Sequence, residues 1–274
     1  MINTANATPG DHIIEFSVVV TIGMVVPLPV ITNNLTINGR SNIVISGSGV
    51  TNLFTFGAGT INVLSALTIQ DAWTTRNGAA ISNGGTLILS GCVLTNNNAD
   101  YADSGMGGAI YNAGNLTLAG CTVVSNMAGT GGAIYSTNTT TVVTTVFSGN
   151  KANANGNGGA IYSSGFLTVT NSPLTGNTAG NGGAIYSSGS LTINALTVSS
   201  NRALLAFGGG IFSAGNLTVN GATFVGNSAL GQNGGGGDGG GGGGAGLGGG
   251  LFHTNGLGFL TNCTFSGNLA LAAC

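Results

Sequence analysis

Seven times along this chain a Gly/Ala-rich tetrapeptide ends in Ile or Leu, and each copy is followed by Asn at a nearly fixed distance. The apolar residues are Ile81, Ile110, Ile134, Ile161, Ile185, Ile211 and Leu251. The asparagines are Asn97, Asn126, Asn150, Asn177, Asn201, Asn227 and Asn268. Six of the intervals are 16 residues and the last is 17, whereas successive tetrapeptides lie 24 to 40 residues apart. A constant segment separated by variable ones describes coils that share a cross-section and take insertions after each Asn, along one edge. Self-similarity at a period of about 20–50 residues marks a solenoid.

Within the coil, apolar residues alternate rather than recur every three or four positions. In Gly182–Asn201 the short runs Leu191/Ile193 and Leu196/Val198 are separated by small polar residues, and the next coil repeats them as Leu217/Val219 and Ala222/Phe224. Period two is the pattern of half-buried strands. Three short strands and three bends per turn would stack Leu on Leu and Ile on Val in parallel ladders. With a rise of about 4.8 Å per coil, nine or ten coils make a rod roughly 45 Å long. Glycine pairs such as Gly131-Gly132 and Gly158-Gly159 are expected to supply positive φ or close backbone approach. The repeated Asn is expected at a bend, in the left-handed region that Asn tolerates, with its amide bonded from coil to coil.

Composition narrows the function classes. Only ten residues carry full charge, the net charge is −2, and 42% of the 274 residues are hydrophobic. That combination supports a packed fold rather than disorder. It offers no basic patch for nucleic acid, and its weak colloidal repulsion favours self-association. The most apolar run, Val18 to Ile31, is broken by Gly23, Pro27 and Pro29, too short to cross a bilayer. Its valines and isoleucines read as buried strands. Met1 to Gly10 has neither the charged start nor the apolar core of a secretory signal.

Candidate sites are few. Thr117, Thr141, Thr168, Thr192 and Thr218 form a column pointing to solvent; without a partner row, an ice-binding face is the lesser reading. Tyr111, Tyr135, Tyr162 and Tyr186 follow the repeat isoleucines and form a second column, structural or sugar-binding. Cys92 and Cys121 occupy one position in adjacent coils, where a disulfide and a pair of buried thiols are equally open. No Cys/His spacing suits zinc, and no cofactor or metal site is expected. Gly231 to Gly250 is a glycine run interrupted mainly by Asn233, Asp238, Ala245 and Leu247; it reads as a protruding loop, lacking the Lys-Ser/Thr of a phosphate loop. A carbohydrate-active enzyme would need grouped carboxylates and a basic residue. Asp100 and Asp103, with Lys151 and Arg202, are the only candidates in the repeats, and they read better as solvated edge residues. Asn-x-Ser/Thr sites occur at Asn6, Asn34, Asn115, Asn138, Asn216 and Asn262.

The repeat residues resemble the polymorphic outer-membrane-protein repeats, defined by Gly-Gly-Ala-Ile/Leu/Val and Phe-x-x-Asn. The first motif is intact at Gly107–Ile110, Gly131–Ile134, Gly158–Ile161 and Gly182–Ile185; the second at Phe147/Asn150, Phe224/Asn227 and Phe265/Asn268. The segment Ala5–Phe16 is similar to the one that follows the signature of bacterial CSLREA-type surface proteins, and Leu35–Gly39 fits as well. These resemblances imply an all-β, single right-handed parallel β-helix, extracellular or on the cell surface of bacteria, without catalytic residues and often part of a longer chain. One domain is expected: irregular N-terminal coils over 1–77, regular repeats over 78–230, a glycine-rich insertion over 231–250 and a truncated last repeat over 251–274. Open rod ends would invite self-assembly into a fibre or layer. The expected function is structural or adhesive, with self-association, end to end or lateral, or host or matrix glycans as partners. A polysaccharide lyase or hydrolase, or a passive glycan-binding module, is the alternative.

Overall fold

The computed structural model describes residues 1–49, 52–99, 104–205, 207–231 and 246–272. Across these residues the chain is an all-β parallel solenoid. Every strand pairing is parallel and joins equivalent positions of successive coils: Ile134 pairs with Ile110 and Ile161, and Thr141 with Thr117 and Thr168. Three sheets wrap the rod, with 18, 8 and 7 strands. The long sheet receives two strands from each regular coil, such as Asn115–Ala119 and Thr122–Val124. A two-residue strand, here Met127–Ala128, builds the short-strand sheet, and a three-residue strand, Ile134–Ser136, builds the aromatic sheet. Toward the N-terminus the paired strands of the long sheet fuse into Leu35–Ser46 and Ile61–Gln70.

The bends explain the fixed interval. Besides the first glycine of each pair, two positions per coil adopt the left-handed region. One lies between the paired strands of the long sheet, at Gly91, Gly120, Thr144, Asn171, Ala195 and Gly221; the other follows them, at Asn96, Ser125, Gly149, Gly176, Ser200 and Gly226. The second position immediately precedes the repeated Asn. The repeated asparagines therefore do not occupy the left-handed region themselves, contrary to the sequence expectation; their neighbours turn the chain and leave the Asn side chain pointing inward. The glycine pair does both jobs expected of it. Gly158 has φ +69°, and a Cβ on Gly159 would fall on the Gly183 carbonyl oxygen of the next coil. A residue with a side chain cannot be accommodated there without separating two coils.

Inward-facing Leu, Ile, Val and Phe fill one continuous core, including Leu116, Leu118, Val123, Ile134 and Phe147, all essentially inaccessible to solvent. Each such side chain contributes about 1.5–3 kcal/mol by burial. At the N-terminal end the short helix α1 (Ile2–Ala7) lies over the coil stack. It is tied down by Asn6, whose Nδ2 donates to the Val30 carbonyl at 2.7 Å, and by Asn33, whose Nδ2 donates to the carbonyls of Ala5, Asn6 and Thr8. Beneath it lies an apolar cavity of about 300 Å³ lined by residues such as Ile2, Phe16, Ile22, Met24 and Leu28. This end is therefore partly covered, unlike the open rod end expected from sequence.

The Val18–Ile31 run also departs from expectation. Val18, Val19, Val25, Val26 and Val30 are exposed, and only Val20–Gly23 forms a strand. That strand pairs with Leu35–Ser46 alone among the described residues, so its other edge carries no strand. At the opposite end the coil over residues 251–272 exposes Leu260 and Phe265 at 44% and 48%, although their register partners Val219 and Phe224 are buried.

Candidate functional site

The most regular chemistry is internal. From Asn126 to Asn268 each ladder asparagine accepts two hydrogen bonds at Oδ1 from its N-terminal neighbour, one from the side-chain Nδ2 and one from the backbone N–H. Asn126 donates both to Asn150 at 3.0 and 3.1 Å, and Asn150 both to Asn177 at 3.0 and 2.9 Å. The pattern continues through Asn201, Asn227 and Asn268. Each Nδ2 also donates to a strand carbonyl of the preceding coil, as Asn150 does to Val123 at 2.9 Å. At the N-terminal end Asn97 accepts the backbone N–H of Ala72 at 3.1 Å, and Ala72 has no amide to carry the ladder further. Buried backbone donors at a corner need acceptors, and this row supplies them. The ladder holds the coils in register and is not a ligand site.

A second buried polar column escaped the sequence reading. It runs on the aromatic sheet through Asn83, Asn112, Ser136, Ser163, Ser187, Ser213 and His253. Asn83 Nδ2 donates to Asn112 Oδ1 at 2.7 Å, and Asn112 Nδ2 to Ser136 Oγ at 3.0 Å. Beyond Ser136 the column loses continuity: Ser163 Oγ, Ser213 Oγ and both ring nitrogens of His253 are buried without partners. The shared inward position was detectable as Asn or Ser two residues after each repeat Ile. Its drift from Asn to Ser to His concealed it.

Cys92 and Cys121 stand opposite one another in adjacent coils, since Val93 pairs with Thr122. Both are buried thiols, so the disulfide alternative is not the arrangement found. Each sulfur also reaches a carbonyl of the coil before it, Cys92 that of Leu64 at 3.3 Å and Cys121 that of Leu89 at 3.5 Å. The hydrogen bond with Cys121, together with burial, pushes the Cys92 thiol above its ordinary range. Further along the same column Thr145 and Ser172 occupy the position, and their hydroxyls accept the backbone N–H of the preceding coil at 3.2 and 3.0 Å.

Outside, each sheet presents one chemistry in a line. Tyr111, Tyr135, Tyr162 and Tyr186 stack face to face, continue into Phe212, and reach Phe252 at a steeper tilt. Successive centroids from Tyr111 to Phe212 are 5.6, 4.6, 5.3 and 4.5 Å apart, with planes within 4–7°. Neighbouring rings therefore cover one another's faces and leave mainly edges and hydroxyls outward. A sugar platform needs a free ring face, so this geometry serves packing better than ligand stacking. Burial, then the charges of Tyr162 and Tyr111, raises the Tyr135 hydroxyl above its ordinary value; burial and Tyr162 raise that of Tyr186.

The threonine column does face outward, from Thr117 to Thr218. The adjacent outward column is Ala119, Val143, Thr170, Asn194 and Asn220; on the second strand of each pair an outward column holds Thr122, Thr197, Thr223 and Thr264, but Val146 interrupts it. On the short-strand sheet Lys151 and Arg202 share one outward column with Thr178 between them. They are thus two coils apart and do not converge on one point. Asp100, Asp103, Asp238 and Cys274 lie outside the described residues, as does most of the 231–250 glycine run. Among the described residues no three His, Cys, Asp or Glu side chains gather in a way that would hold a metal ion. No helix is long and apolar enough to cross a membrane, which says nothing of a β-barrel.

With this geometry in view, comparison with known proteins gives one partial match. The family model for the Chlamydia polymorphic membrane protein repeat matches residues 144–164 and 174–188. The matched segments contain the left-handed bend at Thr144, Phe147, the ladder residues Asn150 and Asn177, and two Gly-Gly-Ala-Ile units. It is a likeness over a small part of the chain. No curated protein and no solved structure matches.

Proposed function

We infer that this chain is a non-catalytic structural or adhesive rod, displayed outside a bacterial cell and related to the polymorphic membrane protein and CSLREA-type surface proteins. The observation that carries the reading is the coil-to-coil constancy of the asparagine ladder and the aromatic stack. Both rows spend their polar and aromatic groups on one another, which favours a stiff spacer that carries binding surfaces away from its base. The short match to the Chlamydia repeat supports the relationship at the level of the repeat unit. Self-association fits the same reading, because a net charge of −2 over 274 residues leaves little repulsion between rods.

Two measurements test it. Antibody labelling of intact source cells should reveal the chain on the outer surface; labelling only after lysis defeats the localisation. Light scattering of the purified chain should show mass rising with concentration. A monomer at every concentration would remove the assembly component while leaving display untouched.

A further inference from the structure

We propose that the edge joining the aromatic sheet to the long sheet is a binding groove for a neutral polysaccharide chain, with Phe166 as its stacking platform. The inference concerns one site on the adhesive rod; it rests on the groove's own geometry and holds whether or not the rod self-associates.

The turns at this edge are as short as the backbone allows. A Cβ on Gly189, for example, would fall on the Gly165 carbonyl oxygen of the preceding coil. Backbone therefore sits where side chains would otherwise stand, and the edge is hollow. One stretch of about 430 Å³ runs from Gly59 to Asn138, and another of about 400 Å³ from Ser164 to Gly256. They lie end to end along the rod axis, separated at the turn where Asn138 replaces the glycine found at Gly114, Gly165 and Gly189.

Three features select the occupant. No charged residue lines either stretch, so an acidic polymer finds no counter-charge and a basic one no anion. The groove crosses the strands, whose hydrogen-bonding edges are already taken by neighbouring coils; a peptide would find no sheet edge to extend. What the groove offers instead is amide and hydroxyl groups in rows beside one free aromatic ring. Asn115 and Asn138 are exposed, with no hydrogen-bond partner for their side-chain amides among the described residues, and Ser188 and Ser190 follow. Phe166 is 64% exposed and stands between Thr139 and Ser190 in register. Unlike the stacked tyrosines, it has no aromatic neighbour among the described residues, so its ring faces remain available. A hydroxyl-edged, CH-faced pyranose chain matches this pairing of donors, acceptors and a bare ring.

The test is titration calorimetry of the purified chain with cello- and chito-oligosaccharides of increasing length, with oligogalacturonate as the acidic comparison. Saturable binding of at least one neutral series is expected. Phe166→Ala should weaken it about tenfold with the thermal midpoint unchanged, because the side chain buries little in the protein. Asn138→Gly should merge the two stretches, so that affinity keeps rising with chain length beyond the point where the parent levels off. Tyr162→Phe should bind as the parent does. The proposal is overturned if neither neutral series binds, if Phe166→Ala binds within twofold of the parent, or if oligogalacturonate binds more tightly than both neutral series.

Discussion

Two polar columns run through the interior of this rod, and they have fared differently. Along the ladder from Asn97 to Asn268 the same side chain recurs in every coil, and every amide reaches the next. Along the column from Asn83 to His253 the amide gives way to hydroxyls after Asn112, and the chain of bonds stops. The coil spacing of about 4.8 Å explains the difference. An Asn side chain spans that distance and still reaches a carbonyl of the preceding coil, whereas a Ser hydroxyl is too short to do both. The first column also serves backbone N–H groups that have no other acceptor at the bend, as in Asn126 N–H to Asn150 Oδ1. Replacing its amides is therefore costly, while the second column can lose them piecemeal.

The sharpest way to break this comparison is Asn150→Ala. It strips the acceptor from the Asn126 backbone and side chain and removes donors to Asn177 and Val123. The expected loss is about 3 kcal/mol, read from the shift of the urea midpoint at constant slope. Asn112→Ala should cost less, about 2 kcal/mol by the same measurement, since it leaves Asn83 Nδ2 a carbonyl partner at Gly85. A smaller effect should appear at alkaline pH on the outward side of the same strands. Tyr135 and Tyr186 ionise later in the folded rod than in the unfolded chain, so the folded state holds more protons in that window. Stability should be fully present below the ordinary tyrosine value near 10 and fall as pH rises through it. The double variant Tyr135→Phe, Tyr186→Phe should flatten that decline above about pH 10. Smallest of all, Ser163→Ala should change stability by no more than about 0.5 kcal/mol, because its hydroxyl already lacks a partner. If Ser163→Ala proves as damaging as Asn150→Ala, the contrast between the columns is false.

Much of this architecture could be read before any coordinates. The interval from Ile to Asn reported a constant path through two paired strands and two bends, and the alternation of Leu191 and Ile193 reported which side faced the core. The ladder was legible because one residue type does one task in seven coils. The second column was not, since three residue types share its position. The exposed valines between Val18 and Val30 were misread because apolar composition records a preference for burial, not whether a neighbouring coil is present to provide it. Helix α1 left no periodic trace over its six residues.

What the sequence determined alone is the repeat: its period, its inward face and the glycine positions where backbone must approach backbone. Tertiary structure decided how those rows meet. It turned the tyrosines into a stack with covered faces, set Lys151 and Arg202 in one line two coils apart, kept Cys92 and Cys121 as thiols, and aligned separate glycine turns into a groove along one edge. The reason is that residues 24 to 40 positions apart in the chain become neighbours only through the coil spacing. Surfaces built across coils therefore belong to the assembled rod and to no single repeat.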